Sequence, residues 1–191
     1  DIDICTNAPL FILKQLFTVI KTEFLSSTIE YNGEKFEVTA FRKELSYEKH
    51  RFPKEIVLVD TLEEDLQRRD FIINTLCIDS LGNEIDLLGA KKDMDHKKIQ
   101  TVGDASKRLE EDALRILRAI RFASQLNFQL EDSLFKAILE KRDLVKELSA
   151  KRILKELDQI EKSEFSDYGK HLLEVTGLYK IITKKIEKHI Q

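Results

Sequence analysis

The spacing of apolar positions changes character about halfway along the chain. Residues 1–5, Asp1-Ile2-Asp3-Ile4-Cys5, alternate acidic and aliphatic side chains with the period of two expected of a strand, both carboxylates on one face and Ile2 with Ile4 turned to the core. Residues 9–19 carry apolar positions at helical spacing, and residues 27–44 read as two strands around Asn32-Gly33, a dipeptide suited to the positive φ of a tight hairpin. After Pro53, residues 55–59 form another strand pattern, and Thr61 with Glu64 has capping-box spacing for a short helix to about Arg68. Residues 71–79 and 84–88 flank Leu81-Gly82-Asn83 as hairpin arms would. From about Ala105 the strand signals stop: Leu109, Ala113, Leu117, Ile120, Ala123 and Leu126 recur at helical intervals, and further helices are expected over residues 133–148, 150–162 and 168 to the end, broken at Thr176-Gly177. The expected class is α+β, a mixed-sheet head followed by an all-α region.

Composition narrows the function classes. The 191 residues are 42% hydrophobic with 6 Gly and 2 Pro, which excludes collagen-like and low-complexity chains. The longest apolar stretch, residues 71–78, is interrupted by Asn74 and falls far short of the roughly 20 residues of a membrane span. Cys5 follows Ile4 and Cys77 lies between Leu76 and Ile78, and both are expected to be buried free thiols, which fits a reducing, cytoplasmic setting. The chain opens on Asp1 with no leader-like segment and is expected to be cut or processed at its start. The net charge of -3 argues at first against a nucleic-acid partner, but the sign is uneven: 14 basic and 19 acidic residues in positions 1–100, against 18 and 16 beyond. His50, His96, His171 and His189 lack metal-ligand spacing, and neither a Ser or Cys nucleophile motif nor a Gly-rich phosphate loop is present.

Three groups of residues could carry chemistry. Asp1 and Asp3 on one strand face can share divalent cations, Mg²⁺ being held by few carboxylates together with substrate phosphates; an edge strand with a solvated acidic face is the plain alternative. Glu37, on another strand, is either a third acid near the same ions or an exposed strand residue. Arg68 and Arg69 suit a helix C-terminus, but Asn74, polar within an apolar strand pattern, needs a backbone partner or a ligand hydroxyl. Arg108, Glu111, Asp112, Arg115, Arg118 and Arg121 stand three or four apart and are expected on one helix as a single polar stripe. That stripe reads either as a ladder of ion pairs or, since every cation from Arg108 to Arg121 is Arg, as a surface for phosphates and base edges. A carboxylate that accepts from an exocyclic amino group, beside a guanidinium that donates to ring acceptors, would admit cytosine or adenine and disfavour uracil or guanine.

Taken in order, Asp1-Ile2-Asp3, Phe36-Glu37-Val38-Thr39-Ala40-Phe41-Arg42, residues 47–53, Leu62-Glu63-Glu64-Asp65-Leu66-Gln67-Arg68-Arg69-Asp70-Phe71, Ile85-Asp86 with Gly89, and Glu111-Asp112-Ala113-Leu114-Arg115 resemble the class II tRNA nucleotidyltransferase and poly(A) polymerase family over residues 1–157. The resemblance implies a nucleotidyltransferase head over residues 1–97 that lacks its N-terminal part, a helical neck over 98–162, and the start of a helical body over 163–191. It implies that Asp1 and Asp3 hold two Mg²⁺ ions, with Glu37 the candidate third acid. Arg69, Asp70 and Asn74 match the segment that recognises the ribose and orients the nucleotide. Asp112 and Arg115, next to Glu111, match the pair that reads CTP or ATP without a template, and Arg118 and Arg121 match further nucleotide-binding positions. Residues 149–157 resemble the buttressing neck helix, and Tyr47, Glu48 and Arg51 fall in the flexible loop used by A-adding members. The sequence departs from the family pattern in lacking a Gly-Gly-x-x-Arg-Asp segment, in Ser27 where Gly is usual, and in Ile72 where Thr is common. The expected activity is addition of C and A from CTP and ATP to the 3′ end of tRNA. The alternatives are a CC-adding or A-adding specialist, a poly(A) polymerase, or a non-catalytic RNA-binding or structural module.

Overall fold

Residues 3–23, 25–48 and 52–190 are described by the computed structural model. Contacts divide the chain into two compact units, residues 1–45 with 55–68, and residues 46–54 with 69–191.

The first unit is built on a four-stranded sheet of order β1-β4-β3-β2, from β1 (Asp3–Thr6), β2 (Thr18–Glu23), β3 (Ser26–Tyr31) and β4 (Glu34–Ala40). Strands β2, β3 and β4 run antiparallel to their neighbours, whereas β1 lies parallel to β4 with Asp3 opposite Glu37 and Ile4 opposite Val38. Asn32 and Gly33, at φ 52° and 80°, make the two-residue turn between β3 and β4 that their sequence predicts. Helix α1 (Leu10–Leu16) buries Leu13 against Ile29 and Val38, with Leu10, Phe17, Val19 and Phe36 around them. It ends three residues earlier than its periodicity suggested, because the β-branched Thr18 and Val19 begin β2 and pair with Glu30 and Ile29 of β3. Ile4, expected in the core, is 38% exposed: among the described residues β1 is an edge strand with β4 on one side only.

Strands β5 (Arg42–Glu48) and β6 (Phe52–Leu58) pair with each other. Helix α2 (Leu62–Leu66) starts where Thr61 Oγ1 accepts from Glu64 N, and it stops short of Arg68. Its Asp65 is fully buried and accepts from Arg42 N at 3.1 Å and Arg68 Nε at 2.9 Å, so the root of β5 and the end of α2 share one carboxylate.

In the second unit the expected long strand over 71–79 is instead a 3₁₀ turn, Ile72–Thr75, followed by β7 (Cys77–Ile78), which pairs with β8 (Glu84–Ile85). Asn74 N donates to Phe71 O and Thr75 Oγ1 to Ile72 O, turning the chain where apolar content alone had suggested extension. Helix α3 (Ala90–Asp95) begins on Asp86, whose carboxylate accepts from Gly89, Ala90 and Lys91 N–H groups. Strand β9 (Lys98–Ile99) then pairs parallel with β10 (Gln129–Leu130), a strand in the region expected to be wholly helical.

The stretch expected as one helix is two, α4 (Ala105–Glu111) and α5 (Leu114–Leu126). Asp112 adopts extended φ,ψ of -139° and 103°, and its Oδ1 accepts from Leu114 N at 3.0 Å, so the short acid caps a new helix rather than continuing the old one. α5 is central: Leu114, Arg115, Ile116, Leu117, Ala119, Ile120, Ala123 and Ser124 are all buried. Around it lie α6 (Asp132–Lys141) with the 3₁₀ turn Arg142–Glu147, α7 (Ala150–Glu161), α8 (Ser166–Val175) and α9 (Leu178–Ile190). Cys5 and Cys77 are free and only half-buried. Among the described residues no helix is long and apolar enough to cross a membrane.

Gly169 on α8 sits where a Cβ would lie 2.7 Å from both Ile160 Cγ2 on α7 and Ser124 Cβ on α5. Gly169→Ala is therefore expected to lower stability by about 1–3 kcal/mol, the usual cost of overpacking. Urea unfolding measures it, and an unchanged midpoint would contradict this packing.

Candidate nucleotide-handling site

On the first unit, Asp3 and Glu37 are register partners on adjacent strands, and both are exposed on the sheet face opposite buried Val38 and Ala40. Glu37 Oε1 accepts from Ser26 Oγ at 2.9 Å, and Ser26 Oγ also meets Thr39 Oγ1 at 3.0 Å, so the glutamate is held within a polar strip. Hard carboxylate oxygens are the donor class Mg²⁺ takes, and these two fit it. Among the described residues no group of three or more His, Cys, Asp or Glu is drawn together as a metal cluster. Asp1 lies outside the described residues.

On the second unit, the helix break at Asp112 organises the polar residues. Arg108 Nε donates to Val102 O at 2.8 Å and its Nη1 to Glu111 Oε2 at 2.6 Å. Arg115 stands one turn beyond Asp112 and is 6% exposed; its Nη1 donates to Arg108 O at 2.9 Å and to Glu111 Oε2 at 3.1 Å. Glu111 thus clamps two guanidinium groups. Burial works against the charge of Arg115, but Tyr47, Asp112 and Glu111 outweigh it and raise its pKa above the ordinary arginine value. The Tyr47 ring lies 6.0 Å from this guanidinium. Tyr47 and Glu48, expected in a flexible loop, lie instead on strand β5; only the backbone of Glu48 is described, and Arg51 is outside the described residues.

Arg118 and Arg121 lie one turn apart and have separate counter-ions. Arg118 Nε donates to Asp70 Oδ2 at 2.7 Å, and its Nη2 lies 2.7 Å from the same oxygen. Asp70 Oδ1 accepts from Phe71 N and from Asn74 Nδ2, each at 2.9 Å. Burial pushes the Asp70 carboxyl upward, but the charge of Arg118 and these donors outweigh it, holding its pKa below the usual aspartate value. Arg69 Nη1 donates to Asn74 O at 3.0 Å, so Arg69, Asp70 and Asn74 are knitted around the 3₁₀ turn. Arg121 reaches Glu156 on α7, with Nε 3.4 Å from Oε2, an electrostatic contact without hydrogen-bond geometry. Burial lowers the Arg121 pKa and Glu156 offsets only part of that.

Two residues of this network stand outside the sequence reading. Phe122 lies beneath both cations, its ring centre 5.5 Å from the Arg118 guanidinium and 4.6 Å from that of Arg121, and packs edge-on against Phe71 at 5.7 Å. Glu156 is the counter-ion of Arg121. Its signal was present in the spacing, since it sits between Ile153 and Ile160 on the core-facing side of α7, where an acid requires a buried cation.

Known proteins are similar to this chain in fold and in sequence. A crystal structure of the Bacillus stearothermophilus CCA-adding enzyme in complex with CTP matches with a TM-score of 0.85 at 32% identity, covering 93% of this chain and 44% of that one. A tRNA nucleotidyltransferase complexed with a primer tRNA and an incoming ATP analogue matches with a TM-score of 0.69 at 27% identity, covering 93% of this chain and 50% of that one. Residues 1–100 match the poly A polymerase head domain, and residues 127–190 match a probable RNA and SrmB-binding site of polymerase A. The chain belongs to the class II tRNA nucleotidyltransferase and poly(A) polymerase family. The CCA-adding enzyme of Bacillus licheniformis is 41% identical over 183 residues, 94% of this chain and 46% of the relative. That of Lactobacillus helveticus is 43% identical over 159 residues, 82% of this chain and 40% of the relative, so the chain spans about half the length of the relatives it matches.

Removing one partner of a buried pair leaves the other charge uncompensated. Glu156→Ala is expected to cost about 3 kcal/mol of stability, and adding Arg121→Met to recover a large part of it. Chemical unfolding of the single and double variants checks this, and equal losses would contradict the pairing. Because the Asp70 carboxyl titrates lower in the folded chain, its contribution is complete above the ordinary range near ~3.9 and is lost as pH falls through the folded value. Asp70→Asn should remove that part of the acid sensitivity. Acid unfolding curves identical in slope for the two proteins would contradict it.

Proposed function

We propose that this chain is the head, neck and first body helices of a cytoplasmic enzyme that adds C and A nucleotides from CTP and ATP to the 3′ end of tRNA without a template. The division is the one drawn from the sequence: head over 1–97, neck over 98–162, body from 163. The observation that carries the reading is the pairing of Asp112, at the break between α4 and α5, with Arg115 one turn on, its guanidinium pinned by Glu111 and the Arg108 carbonyl. A nucleobase reader needs groups that do not move. A carboxylate fixed by its helix cap and a guanidinium fixed by two acceptors meet that need. Asp112 accepts from the exocyclic amino group shared by cytosine and adenine, and Arg115 donates to ring acceptors. The solved relative bound to CTP and the curated relatives named CCA-adding enzymes support this assignment.

The reaction joins the RNA 3′-oxygen to the α-phosphorus of the nucleotide and releases pyrophosphate. Asp1 and Asp3 would hold two Mg²⁺ ions, which when bound lower the pKa of the 3′-hydroxyl and neutralise the leaving pyrophosphate. Glu37, held by Ser26, is the third acid on that face. Arg118 and Arg121 supply positive charge along α5, Asn74 offers its amide to the ribose, and the segment with Tyr47 and Glu48 at the end of β5 and Arg51 beyond it adjusts the reader between C and A. A CC-adding or A-adding specialist would use the same residues and is separated by its products on tRNA substrates ending at successive positions.

In the complete enzyme, Asp1→Ala with Asp3→Ala is expected to lower nucleotide incorporation by 10³-fold or more, on the order of 4 kcal/mol of barrier. Undiminished incorporation of radiolabelled CTP would overturn the assignment and favour a non-catalytic RNA-binding module. Asp112→Ala with Arg115→Ala should retain chemistry but admit UTP and GTP. Discrimination equal to that of the parent enzyme would remove these residues from base reading.

A further inference from the structure

The polar face of the first unit does not end at Glu37. Register carries it across the whole sheet: Asp3 stands opposite Glu37, Glu37 opposite Thr28, and Thr28 opposite Lys21. Directly opposed residues share a face, so these four side chains form one row from the acids of β1 and β4 to the outer strand β2. Adjacent strands lie about 4.8 Å apart, which puts the Lys21 backbone about 14 Å from that of Asp3. An exposed cation thus closes a row that opens on acids.

Beyond Lys21 the sheet has an open edge. Among the described residues β2 pairs only with β3, and the shift of register between Val19 and Lys21 leaves Ile20 in a bulge, 48% exposed. A groove of about 460 Å³ follows this edge, lined by Lys14 of α1, by Phe17 at the end of that helix and by residues 18–22. Among the described residues its lining includes two lysines and no acid, and Thr18 and Thr22 add hydroxyls. Tyr31, 55% exposed, packs edge-on against Phe17 at 6.0 Å. Lysines spaced along a groove, with hydroxyls and aromatic rings beside them, match the two needs of single-stranded nucleic acid, cations for its phosphates and apolar rings for its bases. The row supplies a direction: a strand lying along it has its 3′ end at the acids and its preceding phosphates at Lys21 and the groove.

We infer that the β2 edge, with Lys14 and Lys21 as its phosphate contacts, is a binding surface for the single-stranded RNA that precedes the reacting 3′ end. The inference rests on the nucleotidyltransferase reading of Asp3 and Glu37, and it adds a surface built from none of the residues assigned to the incoming nucleotide. The lysines meet RNA and not CTP, so their loss weakens RNA alone. Their contacts are to the backbone, so the loss is independent of base and depends on salt.

The test uses the complete enzyme with Lys14→Ala, Lys21→Ala and both together. KM is measured for CTP and for tRNA lacking its 3′ end, and equilibrium binding of the same tRNA is followed over a range of salt concentrations. The expected result for the double variant is a rise in tRNA KM of about tenfold, a slope of log K against log salt shallower by about 0.7 for each of the two lysines, and an unchanged KM for CTP. Lys21→Arg, which keeps the charge, should bind tRNA as the parent does. A tRNA KM and salt slope equal to the parent's, or a loss that falls on CTP, would overturn the inference. So would a double variant that binds tRNA normally but sediments differently from the parent, since the edge would then join protein chains. If the double variant does not fold, the parent enzyme is photo-crosslinked to tRNA carrying 4-thiouridine just before its 3′ end: crosslinks within residues 14–22 support the surface, and crosslinks confined to other segments contradict it. A parent enzyme that folds yet neither binds CTP nor extends tRNA would overturn the nucleotidyltransferase reading itself, an outcome seen before any lysine is changed.

Discussion

Guanidinium groups cannot be left buried without counter-charge, and α5 with the end of α4 buries or half-buries Arg108, Arg115, Arg118 and Arg121. Each is met by an acid: Glu111 for the first two, Asp70 for the third, Glu156 for the fourth. These pairings run from α5 into three different parts of the second unit, the end of α4, the turn over Ile72–Thr75 and helix α7. The requirement that every cation find its acid thus fixes how the helices and the turn are arranged, and the same requirement fixes the direction of each fork. Buried ion pairs are modest contributors to net stability, because desolvation offsets much of the attraction. Their value here is specificity of position.

The sheet of the first unit follows a separate logic. Alternation places Phe36, Val38 and Ala40 toward α1 and leaves Asp3, Glu37, Ser26 and Thr39 as a polar strip on the other face. Acids on a strand face are cheap to keep exposed and available to cations. Asp70, Glu111 and Glu156, by contrast, are paired with arginine. The two sets of carboxylates therefore differ in availability, those on the strand face open to solvent and those beside α5 held by arginine.

Much of this was legible from local rules. Asn32-Gly33, the Thr61 cap, the hairpin around Gly82 and the helix break at Gly177 follow from backbone preferences acting over a few residues, and they appear where the sequence puts them. The polar residues of α4 and α5 were legible as a set, but not the division at Asp112. Helical spacing continues through the break, and only the competition of a short acid for its own backbone N–H groups interrupts it. The 3₁₀ turn at Ile72–Thr75 was hidden for the opposite reason, since apolar residues there are buried by tertiary packing, which a strand reading explains equally well. Glu156 and Phe122 are distant in sequence from the residues they serve, and long-range partners leave only weak marks on local spacing. Ile4 looked like core because alternation cannot reveal that its strand lies at a sheet edge.

The central claim is the proposed one, that the break between α4 and α5 holds a rigid base reader, Asp112 with Arg115. A crystal structure of the complete enzyme bound to CTP tests it most directly. The account predicts the cytosine amino group and ring acceptors within about 3 Å of Asp112 and Arg115. A cytosine edge read by other residues would contradict it.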